Sequence, residues 1–409
     1  MLELFLLSWR SLWRHSRRTI LTIVSMGGAV ALAVLFLAVA DGMYGRLLYE
    51  VLRMQAGHLT VENKRRLEAP SVDLVVDHSG ELRRRLERLP GVSATKALVL
   101  GQGVVSSADG SVGLALAGVE PAVEASLSPL PKRLVSGTYL TDHDERSAVI
   151  GAEMARQLKL EVGGKLVIST NNVDGQLVQE MVRVKGVFRT GSVDLDRHFA
   201  QIPIHFARKA LGLRADQVTQ LGIVLQDPDV QDHVLKEARA QLAGNPDVVV
   251  RPWQRILPEL YTFMQVDKGS NYVFQIIILL MAMFTIFNTV LMSALERKRE
   301  FAMMLALGTP LHRVSVQLLV ESILLGVVGA VCGVLLGSGA SLALDGLSLA
   351  QWMGDGFEVG GFLVDPVLRP KLTMVTTVGL GTVMVLVVAL MSLVPMARLR
   401  QLRISDVFR

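Results

Sequence analysis

Only 19% of the 409 residues are charged, and there is a single cysteine, Cys332. Soluble domains usually carry about 25% charged residues, so a water-soluble globule fits poorly. One cysteine excludes an intrachain disulfide, so any domain outside the cytosol must be held by its own core. Cys332 falls within an apolar run and is expected to be a small packed side chain. A P-loop is missing as well. Gly163-Gly164-Lys165 lacks the first glycine and the hydroxyl residue of that motif, and reads as a turn between Leu160 and Leu166. The eight histidines are scattered, and none lies in an apolar run. That excludes an intramembrane serine protease at Gly337-Ser338-Gly339, where the glycine spacing is wrong too. Asp194-Leu195-Asp196-Arg197-His198 could put three polar groups on one strand face, but it reads more simply as a charged loop. Asp142 to Glu145 reads as a solvated turn. The residues therefore supply no catalytic, cofactor or metal site.

What the chain does hold is apolar length. Hydrophobic residues make up 51%, and the mean hydropathy is +0.42. About 20 helical residues cross a hydrocarbon core of roughly 30 Å, and four runs suffice: 19–40, 272–295, 314–344 and 372–395. Arginine and lysine cluster at Arg10, Arg14, Arg17 and Arg18, at 297–299 with Arg313, and at Arg398, Arg400, Arg403 and Arg409. The 345–371 loop instead carries Asp345, Asp355, Glu358 and Asp365, with Arg369 and Lys371 only at its end. The positive-inside rule then makes both termini and the 296–313 loop cytoplasmic. The net charge of +5 needs no nucleic acid to explain it.

Residues 1–18 have Leu2, Phe5, Leu6, Trp9, Leu12 and Trp13 at helical spacing, predicting an amphipathic helix in the inner interface. Ala38-Val39-Ala40 has the spacing of a signal cleavage site, but the apolar run exceeds the usual 7–15 residues of a signal peptide, so the first span should be retained. Residues 41–271 read as a soluble domain with helical stalks. Strands are expected at Gly57–Glu62, Ala97–Val105, Val112–Val119, Ala148–Ile150, Leu166–Thr170, Val178–Val187 and Gly222–Leu225. Helices are expected at Glu81–Leu89, Ala152–Lys159 and Val230–Leu242. A split into two lobes would fall near Pro129–Ser136. The predicted class is an α+β membrane protein, with four transmembrane helices and a large α+β extracytoplasmic domain inserted between the first two.

The 296–313 loop is expected to be ordered. Glu296 to Leu307 can form a helix with Phe301, Met304, Leu305 and Leu307 toward one side. Gly308 suits the C′ position that ends it, Thr309 an N-cap and Pro310 the first turn of the next helix. In the third span Gly329, Gly333, Gly337 and Ser341 recur every four residues, with Gly326 a turn earlier, which predicts close helix packing. Glu321 in that span needs a partner or water, with Arg313, Gln317 and the 297–299 cluster as candidates. Asn288 in the second span is expected to bond another helix. The final residues, 396–409, form a basic amphipathic tail.

With these features in place, the chain resembles the FtsX-like permease family with a MacB-like periplasmic core. The resemblance rests on Glu296-Arg297-x-x-Glu300 … Ala306-x-Gly308, on Asn288, Glu321 and the glycines of the third span, and on the Pro395–Arg409 tail. Gly57-His58-Leu59, Val149-Ile150-Gly151 and Trp253 with Pro258 look like its lipoprotein-releasing branch. It implies a mechanotransmitting ABC transporter permease in a bacterial inner membrane, with the large domain periplasmic. A separate ATPase dimer, which binds ATP and magnesium, would grip the coupling helix through Glu296, Arg297, Glu300, Met304, Leu305 and Gly308. Asn288, Glu321, Gly329, Gly333 and Gly337 would serve packing and transmission. The implied partners are a second permease copy or paralogue, membrane lipid, a lipoprotein substrate and a periplasmic acceptor. Because Met1 opens directly on the amphipathic helix, the ATPase is expected on another chain. Two other functions fit the same architecture. One is export of a small molecule or peptide with a periplasmic adaptor, the other regulation of a periplasmic cell-wall hydrolase.

Overall fold

A computed structural model describes residues 10, 13, 16–296, 298–348, 351, 357–359, 362–364 and 367–399. Arg297, most of 1–15 and 400–409 lie outside the described residues, so the expected interfacial helix and the end of the tail are not described. Among the described residues, five helices carry the membrane unit and its turn: α1 (Ser16–Met54), α2 (Pro258–Glu296), α3 (Lys298–Ala306), α4 (Leu311–Ala343) and α5 (Met374–Leu399). Four of them contain stretches apolar enough to cross a membrane, with mean hydropathies of 2.5, 1.9, 2.4 and 2.1. Met26, Val30, Val34, Ala282, Ile286, Met384 and Val388 form the core of this unit.

α1 and α2 are each 39 residues long, about 58 Å at 1.5 Å per residue. That is nearly twice what a bilayer core requires, so each helix continues well past its apolar run. α2 begins at Pro258 for a local reason. Proline disfavours the helical region for the residue before it, and Leu257 adopts φ −121 and ψ 66, separating α2 from a short helix at Trp253–Ile256.

The second compact unit, chiefly Gly45–Phe263, is α+β. Its strands are β1 (Leu59–Asn63), β2 (Val92–Ser106), β3 (Ser111–Val119), β4 (Leu134–Gly137), β5 (Ser147–Gly151), β6 (Lys165–Asn171), β7 (Leu177–Phe188), β8 (Phe199–Pro203), β9 (Gln220–Leu225) and β10 (Val248–Pro252). β3 shows how sequence dictates placement: Val112, Leu114 and Leu116 face the core while Ser111, Gly113 and Ala115 face out, the two-residue period of a strand. β6 pairs with both β2 and β7, so β2, β3, β8, β5, β7 and β6 form a closed circuit of hydrogen-bonded neighbours. β9, β1 and β10 extend from β2. The β3–β8 and β5–β7 pairs are parallel and the rest antiparallel, a mixed sheet in keeping with the α+β class.

Two sequence readings need correction here. No lobe boundary falls at 129–136: Leu130 is fully buried, and β4 pairs with β7. The 194–198 segment is neither strand nor loop but a one-turn helix, Val193–His198. Ser192 caps it, and Asp196 turns inward to accept from the Thr190 amide at 2.8 Å and hydroxyl at 2.7 Å.

Candidate functional site

The turn between α2 and α4 is built from backbone geometry. Gly308 has φ +89, a left-handed conformation that glycine adopts without a Cβ penalty. The Thr309 amide donates to the Met304 carbonyl at 3.0 Å, the six-to-one bond of a Schellman cap with Gly308 at C′. The cap of α4 falls on Pro310 rather than Thr309. Pro310 has ψ 144 and helical geometry starts at Leu311, with no side-chain cap. Proline's missing N–H and fixed φ make it suitable here, and its carbonyl accepts from the Arg313 amide at 3.0 Å. Glu296 is the last residue of α2, and Glu300, Met304 and Leu305 belong to α3. Met303 on α3 and Leu307 just after it are exposed, at 51% and 87%, while Met304 is half-buried; the side chains of Phe301 and Leu305 lie outside the described ones. Met303 was missed, although its four-residue spacing from Arg299 and Leu307 was readable.

The glycine stripe of α4 lies against α1. A Cβ on Gly333 would sit 2.6 Å from Val30 Cβ and 2.7 Å from the Gly27 carbonyl. One on Gly337 would meet the Ala31 carbonyl at 2.8 Å, and one on Gly329 would meet Met26 Cβ at 3.0 Å. Gly326 faces Val388 of α5 instead. Backbone contact of this closeness is what small residues permit in lipid, where apolar side chains gain nothing by leaving the acyl chains.

Glu321 is 5% exposed and accepts from Gln317 Nε2 at 3.4 Å, one turn away on α4. Arg313 is exposed. Asn288 is exposed on α2, and no side-chain hydrogen bond to it occurs among the described residues of this chain, so a bond to another helix would be to a helix outside it.

A polar node in the α+β unit had no counterpart in the sequence reading. Lys96 stands in the first half of β2, in the stretch Thr95–Val99 where both faces are buried, and its side chain is 2% exposed. Its ammonium donates to the Arg53 carbonyl at 2.8 Å and the Met54 carbonyl at 3.3 Å, the last carbonyls of α1. It also pairs with Glu124 Oε2 at 3.1 Å. Glu124 Oε1 accepts from Gln201 Nε2 at 3.3 Å, and Gln201 Oε1 accepts from the Tyr139 hydroxyl. Burial pulls the Lys96 pKa down, and Glu124 pulls it back up. Nearby, Arg133 pairs with Glu50 and donates to the Thr190 carbonyl. The end of α1 is thus fixed to β2 by a cation at a helix C-terminus. A lone lysine within Thr95-Lys96-Ala97-Leu98-Val99 was the available signal. The same end holds His58, whose Nδ1 accepts from the Leu225 amide at 3.2 Å. Burial, with Arg53 close by, lowers its pKa to about 4. Among the described residues no three His, Cys, Asp or Glu side chains are placed to hold a metal.

Among the described residues, four helices apolar enough to cross a membrane, with an α+β unit carried between the first two, mark a multi-pass membrane protein. Residues 19–241, more than half the chain, match the model of the MacB-like periplasmic core domain, and residues 272–404 match the FtsX-like permease C-terminal model. The chain belongs to this family, and is an ABC-type permease with a periplasmic core. It is 23% identical over 311 residues to the lipoprotein-releasing system transmembrane protein LolE of Haemophilus influenzae, covering 74% of each chain. It is 24% identical over 337 residues to LolC of Neisseria meningitidis serogroup B, covering 79% of each. Alignments with LolC proteins of Xylella fastidiosa cover 53% of those chains. Pyoverdine export ATP-binding/permease protein PvdT of Pseudomonas savastanoi pv. phaseolicola is 25% identical over 366 residues, 84% of this chain and 53% of that one.

Proposed function

We propose that this chain couples ATP hydrolysis by a separate ABC ATPase to the release of lipoproteins from the bacterial inner membrane. The observation that carries the reading is the capped turn at 296–313: a helix, α3, held between two spans by Gly308 and Pro310, with Met303 on it and Leu307 at its end turned outward. Such an element can dock in a groove of a motor and pass on its movement. Glu296, Arg297, Glu300, Met304, Leu305 and Gly308 make up this coupling helix and its cap. Both termini and the turn are cytoplasmic, in line with the positive-inside pattern. Gly329, Gly333 and Gly337 tie the moving α4 to α1, and Glu321 is placed to take part in the transmission. A second permease, identical or a paralogue, completes the transporter, and a periplasmic acceptor takes the cargo. Similarity to two lipoprotein-releasing proteins over three quarters of the chain supports this substrate class.

The test is purification of the complex from native membranes, followed by ATP-driven release of a triacylated lipoprotein from proteoliposomes. Copurification of triacylated protein and its release with ATP are expected. Copurification of a membrane-fusion adaptor with no lipoprotein would instead favour the second reading, small-molecule or peptide export. That reading draws support from the similarity to PvdT.

A further inference from the structure

The membrane unit contains a cavity of about 200 Å³ between α1, α2 and α5, lined by Ala29, Ala33, Gln275, Leu279, Leu380 and Met384. Apart from Gln275, these groups are apolar. An apolar cavity of about 150 Å³ in a protein stays dry and accepts a hydrocarbon guest, so this one calls for a hydrocarbon rather than water. Gln275 adds a second requirement. Its Nε2 is buried with no hydrogen-bond partner among the described residues, although a buried amide donor nearly always has one. The occupant therefore has an acyl chain with an acceptor oxygen at one end.

The surrounding stripe of α2 gives the order of groups in that occupant. Lys268, Tyr272, Gln275, Leu279 and Ala282 recur at three- and four-residue intervals, so they share one face. Lys268 is exposed, with its ammonium 5.7 Å from the Tyr44 ring centroid. Asn271 Nδ2 donates to the Tyr44 hydroxyl at 3.0 Å, and that hydroxyl bonds Asp267, forming a polar belt of the kind found at a headgroup level. Gln275 lies four residues further, about 6 Å deeper, and about 10 Å below Lys268. Cation, aromatic belt, amide donor and apolar slot follow the order of phosphate, interface, ester carbonyl and acyl chain.

We propose that this cavity is a phospholipid site, with the phosphate at Lys268, an ester carbonyl on Gln275 Nε2, and the acyl chain between α1, α2 and α5. The site belongs to a bilayer lipid and is independent of the identity of the cargo.

The experiment reconstitutes the full chain in vesicles containing phosphatidylethanolamine with a diazirine on one acyl chain, followed by photolysis and peptide mapping. Label is expected within 272–282 of α2 and 29–33 of α1. Gln275→Leu, close in volume, should lower it about fivefold, the loss of one hydrogen bond, and Ala33→Phe, which fills the slot, should abolish it. Label located elsewhere on the wild-type chain, or unchanged in Gln275→Leu, overturns the proposal. A triacylated lipopeptide that displaces the label more effectively than unlabelled phospholipid also overturns it, because the site would then belong to cargo. So does efficient disulfide linkage of two chains through Gln275→Cys, since a second copy would then cover the site.

Discussion

Lys96 offers the sharpest quantitative test, because the charge on each side of its buried pair can be removed separately. In Lys96→Met the Glu124 carboxylate, itself 1% exposed, keeps only Gln201 as a donor among its recorded contacts, and the Arg53 and Met54 carbonyls lose theirs. Breaking a buried pair by removing one partner costs about 3–5 kcal/mol. One kcal/mol moves the melting point of a 150–250-residue unit by about 2–4 °C, so Lys96→Met should lower it by roughly 10 °C. Lys96→Met/Glu124→Gln removes both charges while retaining a side chain that can still accept from Gln201. What remains is the loss of two helix-end hydrogen bonds, about 1–3 kcal/mol together. The double variant should therefore melt higher than Lys96→Met, with a coupling energy of about 2 kcal/mol in the thermodynamic cycle. The assay is thermal unfolding of the detergent-solubilised full chain, followed by hydrogen exchange at the β2 amides. If Lys96→Met melts like wild type, or the two effects simply add, Lys96 and Glu124 do not act as a buried pair and the reading of this node is wrong.

The other predictions address the seam, the turn and pH. Gly333→Leu forces a side chain into Val30 and the Gly27 carbonyl, an overpacking cost of about 3 kcal/mol or more. Because the seam lies within one chain, the loss should appear in that chain's own melting temperature and be partly relieved by Val30→Ala; no relief would argue against direct contact. Glu300→Arg should insert normally but lose ATPase association or ATP-driven release, and full release in that variant would sink the coupling role of α3. His58 has a folded pKa of about 4 against an ordinary 6.5. Between those values the unfolded chain binds the extra proton, so its contribution is complete above about pH 6.5 and is lost as pH falls toward 4, up to about 3 kcal/mol. His58→Asn, which can still accept from the Leu225 amide, should show a smaller acid-induced drop in melting temperature than wild type; an identical drop would assign the effect to other groups.

The long elements were legible because their signals are local. β3 alternates every second residue, and the four apolar runs need only counting. β4, β8 and β10 were missed because each is a strand of four or five residues fixed by partners far away in sequence, as β8 is by β3 and β5. The helix at Ile204–Leu211 was missed as well, since eight residues carry little periodic signal. Asn288 is a case of another kind, exposed within this chain. Polarity in a span signals that a partner is needed, not which face carries it. Gly308 succeeded because its requirement is conformational and belongs to one residue. Thr309 failed as a cap because Pro310 could take that position with its own backbone.

The pairing of β1 sets an order on how this protein can be made. β1 is hydrogen-bonded on one side to β9 and on the other to β10, with Leu59 opposite both Ile223 and Pro252. Neither neighbour exists until almost the whole insert has been synthesised, and β10 ends just before α2 begins at Pro258. The first span is therefore delivered to the bilayer with its following strand unpaired on both edges. Non-local pairing of this sort is slow, and open strand edges invite association with other chains. Biogenesis thus has a vulnerable interval that closes only as the second span arrives, and a translocation pause placed between residues 63 and 220 would lengthen it.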